Sequence, residues 1–392
     1  MLVAIVALAH PIAAAHAAHA AHAAHAAHGE HAAHGERVTI DLRDALGRRE
    51  VESISEDADG MKVRWSGEKA VIEQSLRWDQ IRAVEGGSAP AQRAEWLALG
   101  EQLWRARTRL ARGDLVGARR AFSDAAGALA LQANASSRLQ RLMALEGLAR
   151  TSAAMPNDPA RVAQALEAAA LRSQFGTLEA WLSGGDAFDA RSGLMLTVPP
   201  AWLDAKDAAA ACASLDVAAA RARAAQDPIA AAILDSAARI ASAEAGKPRP
   251  PAAGAKPPAA RGALRKGAQL IELWADALSG DEASRKRARQ QLAQLERSEE
   301  GALRLLAIYA QGRSLAAEND PEEVRRGVGR MLLIPAAHAD MLPALTDAAL
   351  MQSAEALTRI RDDASAGILR AARADMQEQF QASRSVETGD TP

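Results

Sequence analysis

The sequence predicts a mainly α-helical protein: a solenoid-like stack of antiparallel helical hairpins in two halves, preceded by a small all-β barrel module. Apolar residues make up 49% of the chain, but aromatic residues supply only 3%, and Ala, the best helix former, provides much of the apolar count. After residue 90, apolar residues recur at spacings of three and four, with turn signals between the runs. Residues 37–86 instead alternate apolar and polar positions, which is the period of a strand.

Charge and cysteine content exclude some classes of function. Lys and Arg total 47 and Asp and Glu total 49, which gives a formal net charge of −2. This balance lacks the basic stripe of a nucleic-acid-binding protein, so we expect no nucleic-acid partner. Cys212 is the only cysteine, so the chain has neither an internal disulfide nor a thiolate zinc site. Its Ala-rich surroundings indicate a small buried helix residue rather than a nucleophile.

Residues 1–15 have the pattern of an export signal. An apolar run at residues 2–9 precedes Pro11 and a group of alanines that ends at Ala15, as in a secretory signal peptide. The run is too short to cross a bilayer, so we do not expect an integral membrane protein. No Lys or Arg precedes the run, which leaves two alternatives: a true start further upstream, or no signal at all. We expect export to the periplasm or cell envelope.

Residues 16–36 form a low-complexity tract in which His recurs with a period of three. Imidazole is the commonest metal ligand, and such tracts bind Zn²⁺, Ni²⁺ or Cu²⁺ loosely. The candidate ligands are His16, His19, His22, His25, His28, His31 and His34. A flexible spacer is the interpretation that we favour, because the tract offers no closed site with supporting hydrogen bonds.

Residues 37–87 predict a small β barrel. Four or five short strands are separated by tight-turn signals at Asp59-Gly60 and Ser66-Gly67. Closing the sheet would remove its exposed edges. The pattern, with a Gly-rich turn and a final Trp-x-x-Ile-x-x-Val segment, resembles SH3-like and Sm-like small barrels. We expect Trp65 and Trp78 to pack in its core, although a ligand groove is the alternative for both.

Residues 91–245 predict a first helical region. A helix with a stripe through Leu103 and Ala106 is followed by the turn Gly113-Asp114-Leu115 and by a second amphipathic helix that contains Phe122. A helix, a Gly-Asp turn and a second helix with small residues at the crossing resemble the tetratricopeptide repeat. The first-helix Trp is out of register with that family, and no Pro closes the unit near residue 130.

The rest of the chain continues in the same way. Residues 183–200 are expected to form a long loop, which either has a functional role or is a family-specific insertion without one. Residues 246–262 are a Pro- and Ala-rich linker, expected to separate the two helical halves. Residues 263–382 predict further helical hairpins, in which Asp320 caps a helix that begins at Pro321. Residues 383–392 are expected to form a disordered tail.

The sequence carries no catalytic motif, so we expect a non-catalytic scaffold for a protein or peptide partner, with no cofactor. His338 is the only histidine that follows the tract and is expected at a helix end or in a loop. In a hairpin stack, recognition would rest on the first helix of each pair, and Arg105 and Arg109 are the candidate partner-binding residues. Two alternatives remain: a metal-buffering protein acting through the His tract, and an enzyme with a dispersed site.

Overall fold

The computed structural model describes residues 38–43, 47–66, 71–87, 89–131, 138–153, 155, 158–175, 187–250, 260 and 262–388. These residues form a mainly helical protein with a small antiparallel strand region on its amino-terminal side. The signal-like segment and the His tract lie outside the described residues. The chain divides into two compact units, residues 1–104 and 105–392.

The strand region contains two three-stranded antiparallel sheets with the orders β2-β1-β6 and β3-β4-β5. The strands are β1 (Val38–Leu42), β2 (Gly47–Val51), β3 (Ser53–Asp57), β4 (Gly60–Ser66), β5 (Val71–Arg77) and β6 (Ile81–Glu85), with a 3-10 turn at Trp78–Gln80. Glu52 separates β2 from β3, and its backbone N–H donates to the carbonyl oxygen of Arg64 at 2.7 Å. The chain therefore passes from one sheet to the other at Glu52. Closure into a barrel stays a prediction.

The core of this unit is centred on Trp78, whose side chain is fully buried. Its indole N–H donates to the carbonyl oxygen of Asp57 at 2.9 Å, and its ring centroid lies 5.4 Å from that of Trp96. Core packing is thus confirmed for Trp78. Trp65 is only partly buried against the same core, and the Arg49 guanidinium lies 5.8 Å from its ring centroid.

The first unit is larger than the predicted β module, because it includes part of the first helix, α1 (Arg93–Ala111). Trp96 and Leu97 pack against the β core. A β-carbon at Gly100 would lie 2.4 Å from the carbonyl oxygen of Trp78, so glycine permits this close approach. The expected boundary at residue 87 therefore differs from the boundary at Trp104, since the β core needs a helix to cover it.

The second unit is helical. Its helices after α1 are α2 (Leu115–Leu131), α3 (Arg138–Ala153), α4 (Arg161–Arg172), α5 (Ala205–Ala224), α6 (Pro228–Glu244), α7 (Leu264–Ser279), α8 (Glu282–Ser298), α9 (Gly301–Ala316), α10 (Pro321–Met331), α11 (Leu333–His338), α12 (Pro343–Arg359) and α13 (Asp363–Thr388). The last helix continues through residues 383–388, which were expected in a disordered tail. No Gly or Pro lies between Gly367 and Gly389, so neither residue type ends the helix before residue 388.

Helices on both sides of residues 246–262 share one core. Buried side chains from α3 through α13 belong to a single cluster, and α6 packs directly against α7. Arg239 on α6 donates to Asp276 Oδ1 at 2.7 Å and to Ser279 Oγ at 2.9 Å on α7. The structure thus differs from the prediction of two helical halves, because α6 and α7 meet across the linker.

Residues 187–204, called here the 187–204 segment, are irregular but belong to the core. Their buried side chains are Phe188, Ser192, Leu194, Met195, Val198, Pro199, Pro200, Ala201 and Trp202. Gln352 on α12 donates from Nε2 to the carbonyl oxygens of Trp202 and Leu203, each at 3.0 Å. On α7, a β-carbon at Gly267 would lie 2.3 Å from the carbonyl oxygen of Ser192. The described part of the long predicted loop is therefore a packed element that contacts α7 and α12.

None of the described helices combines the length and the apolar content needed to cross a bilayer.

Candidate partner-binding groove

The predicted site residues do not form one site in the described structure. The seven His-tract positions lie outside the described residues. Arg105 and Arg109 lie on the exposed side of α1. Arg109 donates from Nη1 to the carbonyl oxygen of Gly117 at 3.2 Å, and its Nε lies 4.0 Å from Asp114 Oδ2. Arg109 therefore connects α1 to the end of the turn and to the first turn of α2.

A groove of about 880 Å³ lies between α8 and α10, with α9 beneath it. We call it the α8–α10 groove. Its lining residues are Glu282, Arg285, Lys286, Arg289, Gln290, Ala293, Gln311, Leu315, Glu318, Asp320, Glu323, Arg326, Gly329, Arg330 and Leu333. The two walls belong to the second helices of their hairpins, which differs from the expectation that first helices carry recognition.

The close approach of α9 and α10 positions the floor and one wall of the groove. A β-carbon at Gly327 on α10 would lie 2.4 Å from the backbone nitrogen of Ala316 and 2.6 Å from the carbonyl oxygen of Gly312. Gly312 and Gly327 thus let the two backbones nearly touch. The α10 wall begins at Pro321, where the Asp320 side chain accepts from the Glu322 backbone N–H at 3.1 Å. The predicted cap is confirmed.

On the α8 wall, two guanidinium groups share one carboxylate. Arg289 is paired with Glu318 and also donates from Nε to Ser314 Oγ at 2.8 Å. The Nε atom of Arg285 lies 3.5 Å from Glu318 Oε1. This part of the wall therefore keeps an excess positive charge. Lys286 lies exposed beside these residues and has no ion pair with any residue that the structure describes.

On the α10 wall, Arg330 is paired with Glu296 of α8, which also accepts from Gln311 Nε2 at 3.1 Å. Arg326 contacts Glu323 on its own helix at 2.6 Å, and its side chain is 66% exposed. Such an exposed ion pair contributes little stability, so its guanidinium remains accessible to another anion. The groove therefore combines internally paired residues with two accessible cations, Lys286 and Arg326, one on each wall.

Burial raises the pKa of three carboxylates outside the groove: Glu167 on α4, Glu272 on α7 and Glu355 on α12. Burial raises the pKa of Glu167, although Arg221 and Arg141 lower it from 3.3 and 3.6 Å away. Neither this carboxylate nor its partners line the groove. The described carboxylates whose pKa is raised by burial therefore lie outside this groove.

Cys212 and His338 lie where the sequence predicts them, in a buried position and at a helix end. Cys212 is buried, as expected, and burial raises the pKa of its thiol, which disfavours the reactive thiolate. His338 is the last residue of α11, which agrees with the predicted helix end. Within the described ranges, no group of three or more His, Cys, Asp or Glu side chains is arranged to hold a metal ion.

Sequence reasoning missed Lys286 and Arg326. The available signal was the basic run Arg285-Lys286-Arg287 within a predicted helix, but a basic run on a helix is usually just a solvated face. No family model, curated protein sequence or solved structure matches this chain.

Proposed function

We propose that the chain is a non-catalytic interaction scaffold that binds a protein or peptide partner in the α8–α10 groove. The observation that carries this proposal is the groove itself, which is about 880 Å³ in volume and lies between α8 and α10. A groove between two helices is a common type of surface for binding a polypeptide segment. A polypeptide segment laid between two helices would meet the charged walls and the Leu315 side chain in the floor.

The helix contacts support a tetratricopeptide-like arrangement of the last three hairpins. In such a stack, the first helix of one hairpin packs against both helices of the preceding hairpin. Here α9 packs against both α7 and α8, and α12 packs against both α9 and α10. The two-sheet strand order and the 3-10 turn before β6 support an SH3-like module in the first unit.

The first helices offer less room for a partner than expected. The 187–204 segment contacts α7 at Gly267 and α12 at Gln352. Both helices are the first of their hairpins. A partner could displace the segment only by exposing its buried apolar side chains to water, which costs free energy. This is why we place binding on the second helices α8 and α10 rather than on the first helices.

Several features of the proposal rest on residues outside the groove. A location in the cell envelope depends on the apolar run at residues 2–9, and loose metal uptake depends on the His tract at residues 16–36. Partner binding at Arg105 and Arg109 also stays a prediction. Titration of Zn²⁺ into the full chain and into a chain that lacks residues 16–36 separates metal buffering from scaffolding. Equal, weak uptake by both proteins would contradict metal buffering.

Site-specific photocrosslinking tests the groove. Gln290 lines the groove, whereas Gln291 is an exposed neighbour of the same residue type that does not. A photoreactive amino acid is introduced at one or the other position of the full chain, which is then exposed to a cell-envelope extract. We expect one discrete crosslinked protein from position 290 and a marked loss of that product from position 291. Equal crosslinking from both positions, or none from position 290, would contradict the proposal.

A further inference from the structure

We infer that the partner segment of the α8–α10 groove is an acidic polypeptide that also carries an apolar side chain, with Lys286 and Arg326 as its principal charge contacts. This inference rests on the proposed function and deepens it. Three properties of the groove carry it: the charge of its helices, the cations left accessible by internal pairing, and the apolar side chains among its lining residues.

The two helices that form the walls carry a net positive charge, although the whole chain carries a net negative charge. Helix α8 contains five basic and two acidic residues, and α10 contains three basic and two acidic residues. Together they carry a formal charge of +4, and the groove lining, with five basic and four acidic residues, carries +1, whereas the whole chain carries −2. Charge complementarity between surfaces favours encounter with an oppositely charged partner, so these helices favour an acidic one.

Internal pairing determines which cations can contact the partner. Arg289 and Arg330 are held by Glu318 and Glu296 and are less than one-third exposed, so they mainly shape the walls. Lys286 has no ion pair among the described residues, and Arg326, whose side chain is 66% exposed, pairs only with the partly buried Glu323 one helical turn away. A carboxylate of the bound segment would pair with these two cations at little cost in lost internal contacts.

Leucine side chains supply an apolar contact. Leu333, at the start of α11, is 48% exposed and supplies most of the accessible leucine surface, whereas Leu315 in the floor is 9% exposed. Exposed leucine beside a polar groove is suited to an apolar side chain of the partner, because burying that pair removes apolar surface from water. The groove therefore fits a segment in which acidic and apolar residues alternate or follow one another on a helix.

A polypeptide fits the groove better than a nucleic acid does. Four carboxylates are interleaved with its cations: Glu282, Glu318, Asp320 and Glu323. A continuous phosphate backbone would meet this repulsion along its whole length, whereas the carboxylates of a peptide are spaced by its sequence. None of the described lining residues is aromatic, although proteins that bind single-stranded nucleic acid usually stack bases on aromatic rings.

Fluorescence anisotropy on the full chain tests the inference. The probe is a short labelled peptide in which Glu alternates with Leu, and its neutral counterpart has Gln at every Glu. The groove variant is Lys286→Gln with Arg326→Gln. The matched control is Arg287→Gln with Arg325→Gln, which removes the same charge from the same helices at positions outside the groove lining. We expect the groove variant to weaken binding of the acidic peptide about tenfold and the control variant to change it less than about twofold.

Each outcome decides for or against the inference. Preferential loss in the groove variant, with weak binding of the Gln peptide, supports it. Equal loss in both variants would overturn it, because the overall field of the protein would then explain the affinity. Tighter groove-dependent binding of a single-stranded RNA would overturn the polypeptide assignment. If the acidic peptide fails to bind while position 290 still crosslinks a partner, the acidic chemistry is wrong and the proposed function stands.

Discussion

The crossing of α9 and α10 predicts that Gly327→Ala destabilises the protein, although alanine is the better helix former. Exchange of Gly for Ala within a helix normally stabilises by about 1 kcal/mol. At position 327, however, the new β-carbon would lie 2.4 Å from the nitrogen of Ala316 and 2.6 Å from the oxygen of Gly312. Both atoms belong to the backbone, so the helices must separate. Overpacking of this kind costs about 3 kcal/mol at the upper end of its usual range, and we therefore expect a net loss of about 2 kcal/mol.

The matched control is Gly329→Ala, two residues further along α10. A β-carbon at position 329 meets no atom within 4 Å, so this exchange should stabilise the protein by up to about 1 kcal/mol. The two free energies of unfolding are measured by urea denaturation followed by circular dichroism at 222 nm, with the slope checked for two-state behaviour. Equal stabilisation by both exchanges would refute the close crossing of α9 and α10.

Three further predictions concern other parts of the molecule. Trp78→Ala should destabilise the first unit by about 3–5 kcal/mol, seen as faster amide hydrogen exchange in its strands; unchanged exchange would show that Trp78 is not central to that core. Gly193 and Gly246 both have positive φ, so alanine at either position costs about 1 kcal/mol in backbone strain. Gly193→Ala should cost more, because its β-carbon would also lie 2.7 Å from the Leu264 nitrogen; equal denaturation midpoints would argue against that contact. Burial raises the pKa of Glu167 above its ordinary value of 4.5, so the native state retains a proton that the unfolded chain has lost. Its contribution to stability is therefore present below about pH 4.5 and is lost as the pH rises through the raised pKa of the folded state. The free energy of unfolding of Glu167→Gln relative to wild type should therefore increase with pH above about 4.5, and a difference that does not change with pH would contradict this prediction.

The helices of the last three hairpins could be predicted from local signals. Asp281 caps α8, and its side chain accepts from the Ser284 backbone N–H at 2.7 Å. Asp320 and Pro321 start α10 in the same local way. Caps and turn residues act over three or four positions, so they can be read from one sequence. The alternating burial of β1 likewise follows from its period of two.

The path of the 187–204 segment could not be predicted, because its partners are distant in sequence and its backbone is irregular. Gln352, which donates to Trp202 and Leu203, lies far along the chain in α12. No periodicity marks a segment whose side chains are buried by several helices at once. The groove could not be predicted for a related reason. Its floor depends on the contact between Gly312 and Gly327, which lie on different helices, and not on either helix alone.

The packing of the 187–204 segment has a consequence for how a partner would be recognised. An open repeat array spreads recognition over many repeats along its inner helices. Here α7 and α12 contact a segment of the same chain, whereas Lys286 and Arg326 lie on the two walls of a groove formed by neighbouring hairpins. Recognition confined to one groove is sensitive to two charges, but recognition spread over many repeats is not. The size of the effect of the Lys286 and Arg326 exchanges therefore distinguishes a single-groove scaffold from a distributed one.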